Sequence, residues 1–230
     1  MNNALPISFS FIKEYFNGKK SGYSESSLPN ETPFIQTANA TVYYPEQAQG
    51  STRKYPIIYV QGEINEQQQK VLVSQFYLMV DENKTWPAVL CFVKANTDLS
   101  ETISDIEKQL SGIRGSQRMR ALITLGDNIK EGIEAIQREN LFTGIVCVNA
   151  IGNENDAQNF IKAVNSHKRY PRCWMEILPE SKDYSFSSNI HILLKESDLE
   201  HEFRSRKCKE ANVFTYWEDW ILYLNNRIHV

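Results

Sequence analysis

From residue 40 onward, short continuous apolar runs alternate with stretches whose apolar residues recur every three or four positions. The runs at 55–60, 88–93, 120–125 and 143–148 have the length and composition of strands buried on both faces of a parallel sheet. A further segment, 40–44, is β-branched and aromatic and stops at Pro45. The spacing predicts helices over 66–80, with Val71, Leu72, Phe76 and Met79 inward, and over 100–110, opened by Ser100, with Ile103, Ile106 and Leu110 on one face. Two more follow: one from the turn at Asp127 to Arg138, and one over 156–166 with Phe160, Ile161 and Val164 inward. Farther on, 173–178 and 189–194 read as strands and 198–206 as a helix. A closing helix over 213–224 carries Trp217, Trp220, Ile221 and Leu224. Strands alternating with helices predict an α/β fold: a mostly parallel central sheet covered on both faces, in three layers.

Ahead of this pattern, residues 1–36 read as a leader. Phe9, Ile12, Tyr15 and Phe16 fall at helical spacing within 8–16, and 17–33 carries the Gly, Ser, Asn and Pro of a loop. The domain proper is then 37–230.

Composition narrows the picture. A chain of 230 residues, 41% apolar, fits one domain with a full core. A net charge of −3 gives no basic balance, so neither nucleic acid nor a membrane surface is the expected partner. Arg204, Arg206, Lys207 and Lys209 surround Cys208, but Glu200, Glu202 and Glu210 offset them, as on a solvated helix face. The four cysteines, Cys91, Cys147, Cys173 and Cys208, show no Cys-x-x-Cys spacing. They fit a reducing compartment, and no signal-peptide or membrane-spanning pattern is visible, so a cytoplasmic location is expected. Metal-ligand spacing, a phosphate-binding glycine loop and a dinucleotide fingerprint are all missing, so no metal and no cofactor are expected.

The chemistry centres on residues 118–136, RMRALITLGDNIKEGIEAI, which read as strand, sharp turn and helix. Around it stand TVYYP (41–45), KYPIIYVQG (54–62), FTGIVCVNA (142–150) and TYWEDW (215–220). In this order the pieces resemble the esterase branch of the α/β-hydrolases, the group of esterase D and enterochelin esterase. The resemblance covers roughly residues 38–225 and implies an α/β-hydrolase-like three-layer sandwich with a nucleophile elbow at the turn. The family's Gly-x-Ser-x-Gly then falls on Leu125, Gly126, Asp127, Asn128 and Ile129, with Asp127 at the serine position. The family's triad histidine falls on Thr215, and the histidine of its His-Gly turn on Gln61. The acid position stays open between Asp183 and Asp198. The oxyanion hole, built from backbone N–H groups, would use the amides of Asn128 and of Glu63, just after Gly62.

Threonine cannot take a proton from a nucleophile near neutral pH. Of His167, His191, His201 and His229, His201 is the one to test as a substitute base; His191 reads as structural and the other two as surface residues. These losses predict a degenerate, non-catalytic esterase-like protein that binds a small molecule or a protein partner, with self-association into a homo-oligomer also open. The alternative is a hydrolase of esters or related substrates that uses Asp127 as nucleophile, as haloalkane dehalogenases and epoxide hydrolases use an aspartate, or an unrecognised triad. The plainer role for Asp127 is to cap the following helix, whose dipole favours a carboxylate there.

Overall fold

The structure is a computed structural model that describes residues 32–110, 115–139, 142–166, 171–178, 184–206 and 214–228. The expected leader helix over 8–16, together with Asp183, His167, His229, Lys207, Cys208, Lys209 and Glu210, lies outside the described residues.

Eight strands form one sheet: β1 (Phe34–Gln36), β2 (Ala40–Tyr43), β3 (Tyr55–Gly62), β4 (Val89–Lys94), β5 (Gly115–Leu125), β6 (Phe142–Val148), β7 (Arg172–Ile177) and β8 (His201–Ser205). Their order is β1-β2-β4-β3-β5-β6-β7-β8. β1 and β2 run antiparallel to their neighbours, and β4, β3 and β5 to β8 are parallel. The helices are α1 (Glu66–Asp81), α2 (Leu99–Gln109), α3 (Ile129–Glu139), α4 (Glu154–Asn165), α5 (Tyr184–Glu196) and α6 (Trp217–Ile228). No helix among the described residues is long and apolar enough to cross a membrane.

The strands are apolar throughout because each face of the sheet meets its own helical layer. Alternate residues such as Tyr59, Leu122, Ile145 and Met175 enter one core, under α2, α3, α4 and α5. Their neighbours Val60, Ile123, Val146 and Trp174 enter the other, under α1 and α6. The helix starts follow local capping chemistry. Asn65 and Asn153 each close a reciprocal capping box, with Gln68 and Asp156. Asp98, not Ser100, caps α2 by accepting from the Glu101 N–H at 3.0 Å. A carboxylate two residues earlier is the stronger acceptor, and Ser100 is instead buried in the first turn.

Two expected elements exchange places. Residues 189–194 are helical, within α5, and 198–206 holds strand β8. Phe186, Ile190 and Leu194 recur at a spacing of four and are buried on one face, the signature of a helix. β8 reads His-Glu-Phe-Arg-Ser because it is the sheet's edge, half-covered, and needs no continuous apolar run.

Two buried ionic groups tie helices to the sheet. Arg120 pairs with Glu107 of α2, which also accepts from the Tyr59 hydroxyl at 3.4 Å. At the other end, Glu176 of β7 is 0% exposed. It accepts from Arg206 Nε at 2.7 Å, Trp174 Nε1 at 2.6 Å and Trp220 Nε1 at 3.4 Å. Arg206 also reaches Asp219 Oδ2 at 2.8 Å and lies 4.1 Å above the Tyr216 ring centroid. Removing a shared buried acceptor strands its donors. Glu176→Ala is therefore expected to cost about 3–5 kcal/mol in urea unfolding, and Glu176→Gln, which keeps an acceptor, distinctly less.

Candidate active site at the strand ends

The parallel strands deliver their carboxyl ends to one edge of the sheet, where ligand sites form in open α/β sheets. β5 ends at Leu125, a 3-10 turn covers Gly126–Asn128, and α3 starts at Ile129. For α3 to leave this turn closely, its neighbours must be small. Gly132 supplies this on the helix: a Cβ there would sit 2.9 Å from the Thr124 side chain. Gly62 supplies it on β3: a Cβ would sit 2.8 Å from Cβ and Cδ1 of Leu125. The room for a large Leu125 thus comes from the next strand, not from a glycine at its own position.

The left-handed residue of the turn is Gly126, at φ +65°. The turn's left-handed angle thus falls one residue before Asp127, the residue aligned with the family serine. Glycine takes that conformation without a Cβ penalty. A Cβ at Gly126 would meet nothing within 4 Å, so the apex is open but carries no side chain. Asp127 follows it and is exposed.

The turn is braced from both sides. Asn128, 3% exposed, donates from Nδ2 to the Leu125 carbonyl at 2.7 Å and accepts at Oδ1 from the Asn96 N–H at 3.1 Å. Ile151 N–H, beyond β6, donates to the Gly126 carbonyl at 3.2 Å. In a 3-10 turn the N–H groups at the start have no acceptor within the turn. The expected oxyanion donor, the amide of Asn128, lies within this turn, as does the amide of Asp127.

The other predicted residues separate. Gln61, in β3, is 0% exposed and donates to the carbonyl of Thr97, ahead of α2, at 3.0 Å. Gly62 and the exposed Glu63 close β3 beside the elbow. Thr215 is exposed in the turn that opens α6. Asp198 does not reach this edge. It is exposed in the turn between α5 and β8, at φ +54°, at the amino end of β8. The exchange of helix and strand accounts for this: Asp198 precedes a strand instead of following one. His201 begins β8, three strands from β5, opposite Cys173 near the start of β7. Burial pushes the thiols of Cys91 and Cys173 up, and that of Cys147 to about 12, so none of the three is an available nucleophile at neutral pH.

No family model matches the sequence, and no curated protein matches it. Solved structures do match the fold. A ferulic acid esterase superposes with a TM-score of 0.62 at 12% identity, over 82% of this chain and 92% of its own. The fluorophosphonate-binding serine hydrolase F of Staphylococcus aureus gives 0.61 at 10% identity, over 86% and 97%. An S-formylglutathione hydrolase from Staphylococcus aureus gives 0.56 at 12%, over 82% and 88%. The chain has an α/β-hydrolase-like fold. These likenesses also correct the expectation of a non-catalytic, degenerate binding protein. These three structures, which match over 82–86% of the chain, are named as esterases and hydrolases, which favours the hydrolase alternative. At such identity they show the fold alone.

Neither Gly62 nor Asn128 was legible as a brace, although Gly132 sits one turn into the helix in plain sight. Gly62→Ala drives a Cβ into Leu125 and is expected to cost about 1–3 kcal/mol. Asn128→Ala, which removes both hydrogen bonds of a buried amide, should cost a similar amount, about 1–3 kcal/mol. Both are read as shifts of the thermal or urea midpoint.

Proposed function

We propose that the chain is a hydrolase of acyl esters or related substrates, acting at the elbow with Asp127 as the reacting carboxylate. The observation that carries this is the exposed Asp127 carboxylate in the turn after β5, at the amino end of α3. The α/β-hydrolase-like fold supports it, because this turn is where that scaffold presents its nucleophile. A carboxylate oxygen attacks the ester carbonyl carbon, and the tetrahedral oxyanion is met by turn N–H groups. Collapse breaks the bond to the leaving alkoxide or thiolate and leaves an acyl–aspartyl anhydride. Water then adds to the anhydride and returns the carboxylate and a free acid.

A second reading rests on the open apex at Gly126. A water in that space attacks the ester directly, with Asp127 accepting its proton as general base. Single turnover in ¹⁸O water that puts label into the Asp127 side chain, by water attack on the anhydride at the aspartyl carbon, establishes the first reading, since water attack on the substrate leaves Asp127 unlabelled.

Aryl and thio-ester hydrolysis by the purified chain is expected to fall by about 10²-fold or more in Asp127→Ala and Asp127→Asn, with the fold kept by circular dichroism. Turnover that survives both substitutions would remove Asp127 from the reaction.

A further inference from the structure

Two histidines meet far from the elbow. His191 lies on α5 and His201 at the start of β8, and His191 Nδ1 is 2.7 Å from His201 Nε2. The second nitrogen of His201, Nδ1, is 2.7 Å from the Leu199 carbonyl oxygen. A carbonyl can only accept, so His201 Nδ1 carries the hydrogen and Nε2 presents a lone pair toward His191. In the neutral pair the proton between the rings therefore sits on His191 Nδ1. The His191 ring stacks on Phe203, with centroids 4.5 Å apart at 26°, which limits its rotation. Both histidines are half-buried, so solvent reaches them. Burial, together with His201 and Lys195, holds the His191 pKa below its ordinary value, so the ring is neutral near pH 7.

We propose that His191 and His201 form a two-histidine chelate for a divalent transition-metal ion such as Zn²⁺ or Cu²⁺. Imidazole binds such ions through a lone pair at about 2.0–2.1 Å. Two nitrogens on one tetrahedral ion stand about 3.3 Å apart, so the rings need to part by roughly half an ångström and each to turn its lone pair off the present nitrogen–nitrogen line. The proton on His191 Nδ1 moves through solvent to His191 Nε2, two metal–nitrogen bonds form, and neither ring changes charge. The His201 Nδ1–H bond to Leu199 stays in place. It is the outer hydrogen bond that commonly orients a metal-binding imidazole. Among the described residues no group of three or more His, Cys, Asp and Glu is placed to hold a metal. Water therefore completes the coordination sphere.

The test uses the full chain, freed of metal with a chelator, titrated calorimetrically with Zn²⁺ and Cu²⁺ near pH 7.5. The wild type should bind one equivalent of each, Cu²⁺ more tightly than Zn²⁺. Loss of an outer partner alone costs a metal site about 10–100-fold, so His191→Ala and His201→Ala should each weaken binding by at least about tenfold. His167→Ala and His229→Ala should leave it unchanged. Electron paramagnetic resonance of the Cu²⁺ form of the wild type should show coupling to imidazole nitrogen, a readout independent of how the variants fold. Absent binding by the wild type, binding by His191→Ala and His201→Ala as tight as the wild type's, or a Cu²⁺ spectrum without imidazole coupling would each overturn the proposal.

Discussion

A carboxylate with no exposed surface governs how the last third of the chain closes on the sheet. Taking an ion such as Glu176 out of water costs several kcal/mol unless its lone pairs are filled. The filling comes from three elements: Arg206 just after β8, Trp174 on β7 itself, and Trp220 on α6. None of them can leave without uncovering part of that buried charge. The same tie explains the aromatic weight of α6. Trp217 and Trp220 are buried against the strands, and Leu224 approaches so closely that a Cβ on Gly144 would sit 2.7 Å from it.

The constraint reaches the elbow through backbone hydrogen bonds. The Glu176 carbonyl accepts from the Asn149 N–H at 2.9 Å, and Asn149 Oδ1 accepts from the Leu178 N–H at 2.7 Å. Two residues on, Ile151 binds the Gly126 carbonyl, and Asn128 carries the connection to Asn96 beyond β4. Asn149 and Asn96 both hold positive φ, +49° and +57°, which asparagine tolerates better than other side chains. The ends of β4, β5, β6 and β7 are thus one connected surface, and the turn at Gly126 is held by its neighbours and not only by its own sequence. Pre-organisation of this kind is what backbone N–H groups need if they are to meet a developing oxyanion without first rearranging.

Much of the fold was legible because buried parallel strands must be apolar throughout, and 55–60, 88–93, 120–125 and 143–148 all became strands. The failures lie where that pressure relaxes. β8 is an edge strand whose sequence is mostly polar, so it passed for a helix, and α5 passed for a strand because Ile190, Ile192, Leu193 and Leu194 form a short, dense apolar run. That exchange carried Asp198 and His201 to the wrong end of the sheet. The turn's left-handed angle lies one residue from the aligned serine position for a related reason. A motif-based alignment asks where a side chain should stand, and the backbone angle falls to the residue that lacks one, Gly126. Gly62 was read as part of a binding turn, whereas its hydrogen-only side chain is the hollow that accepts Leu125. Such a relation between adjacent strands has no signature within either strand alone.

For the proposed reaction, the placement of the histidines bears on substrate class. His191 and His201, the histidines among the described residues, stand at the far end of the sheet, so neither activates a water at the elbow. An aspartate that attacks an alkyl carbon forms an alkyl ester, whose hydrolysis near neutral pH needs such a base. An aspartate that attacks an acyl carbon forms an anhydride, which water cleaves far more readily. The first step then sets the demand. A tetrahedral adduct between a carboxylate and an ester expels its better leaving group, and a simple alkoxide is worse than the carboxylate that has just added. Thioesters and aryl esters, whose leaving groups are weaker bases than alkoxides, narrow that preference. An elbow with a carboxylate, turn amides and no nearby imidazole among the described residues therefore suits activated acyl donors, not alkyl halides or epoxides.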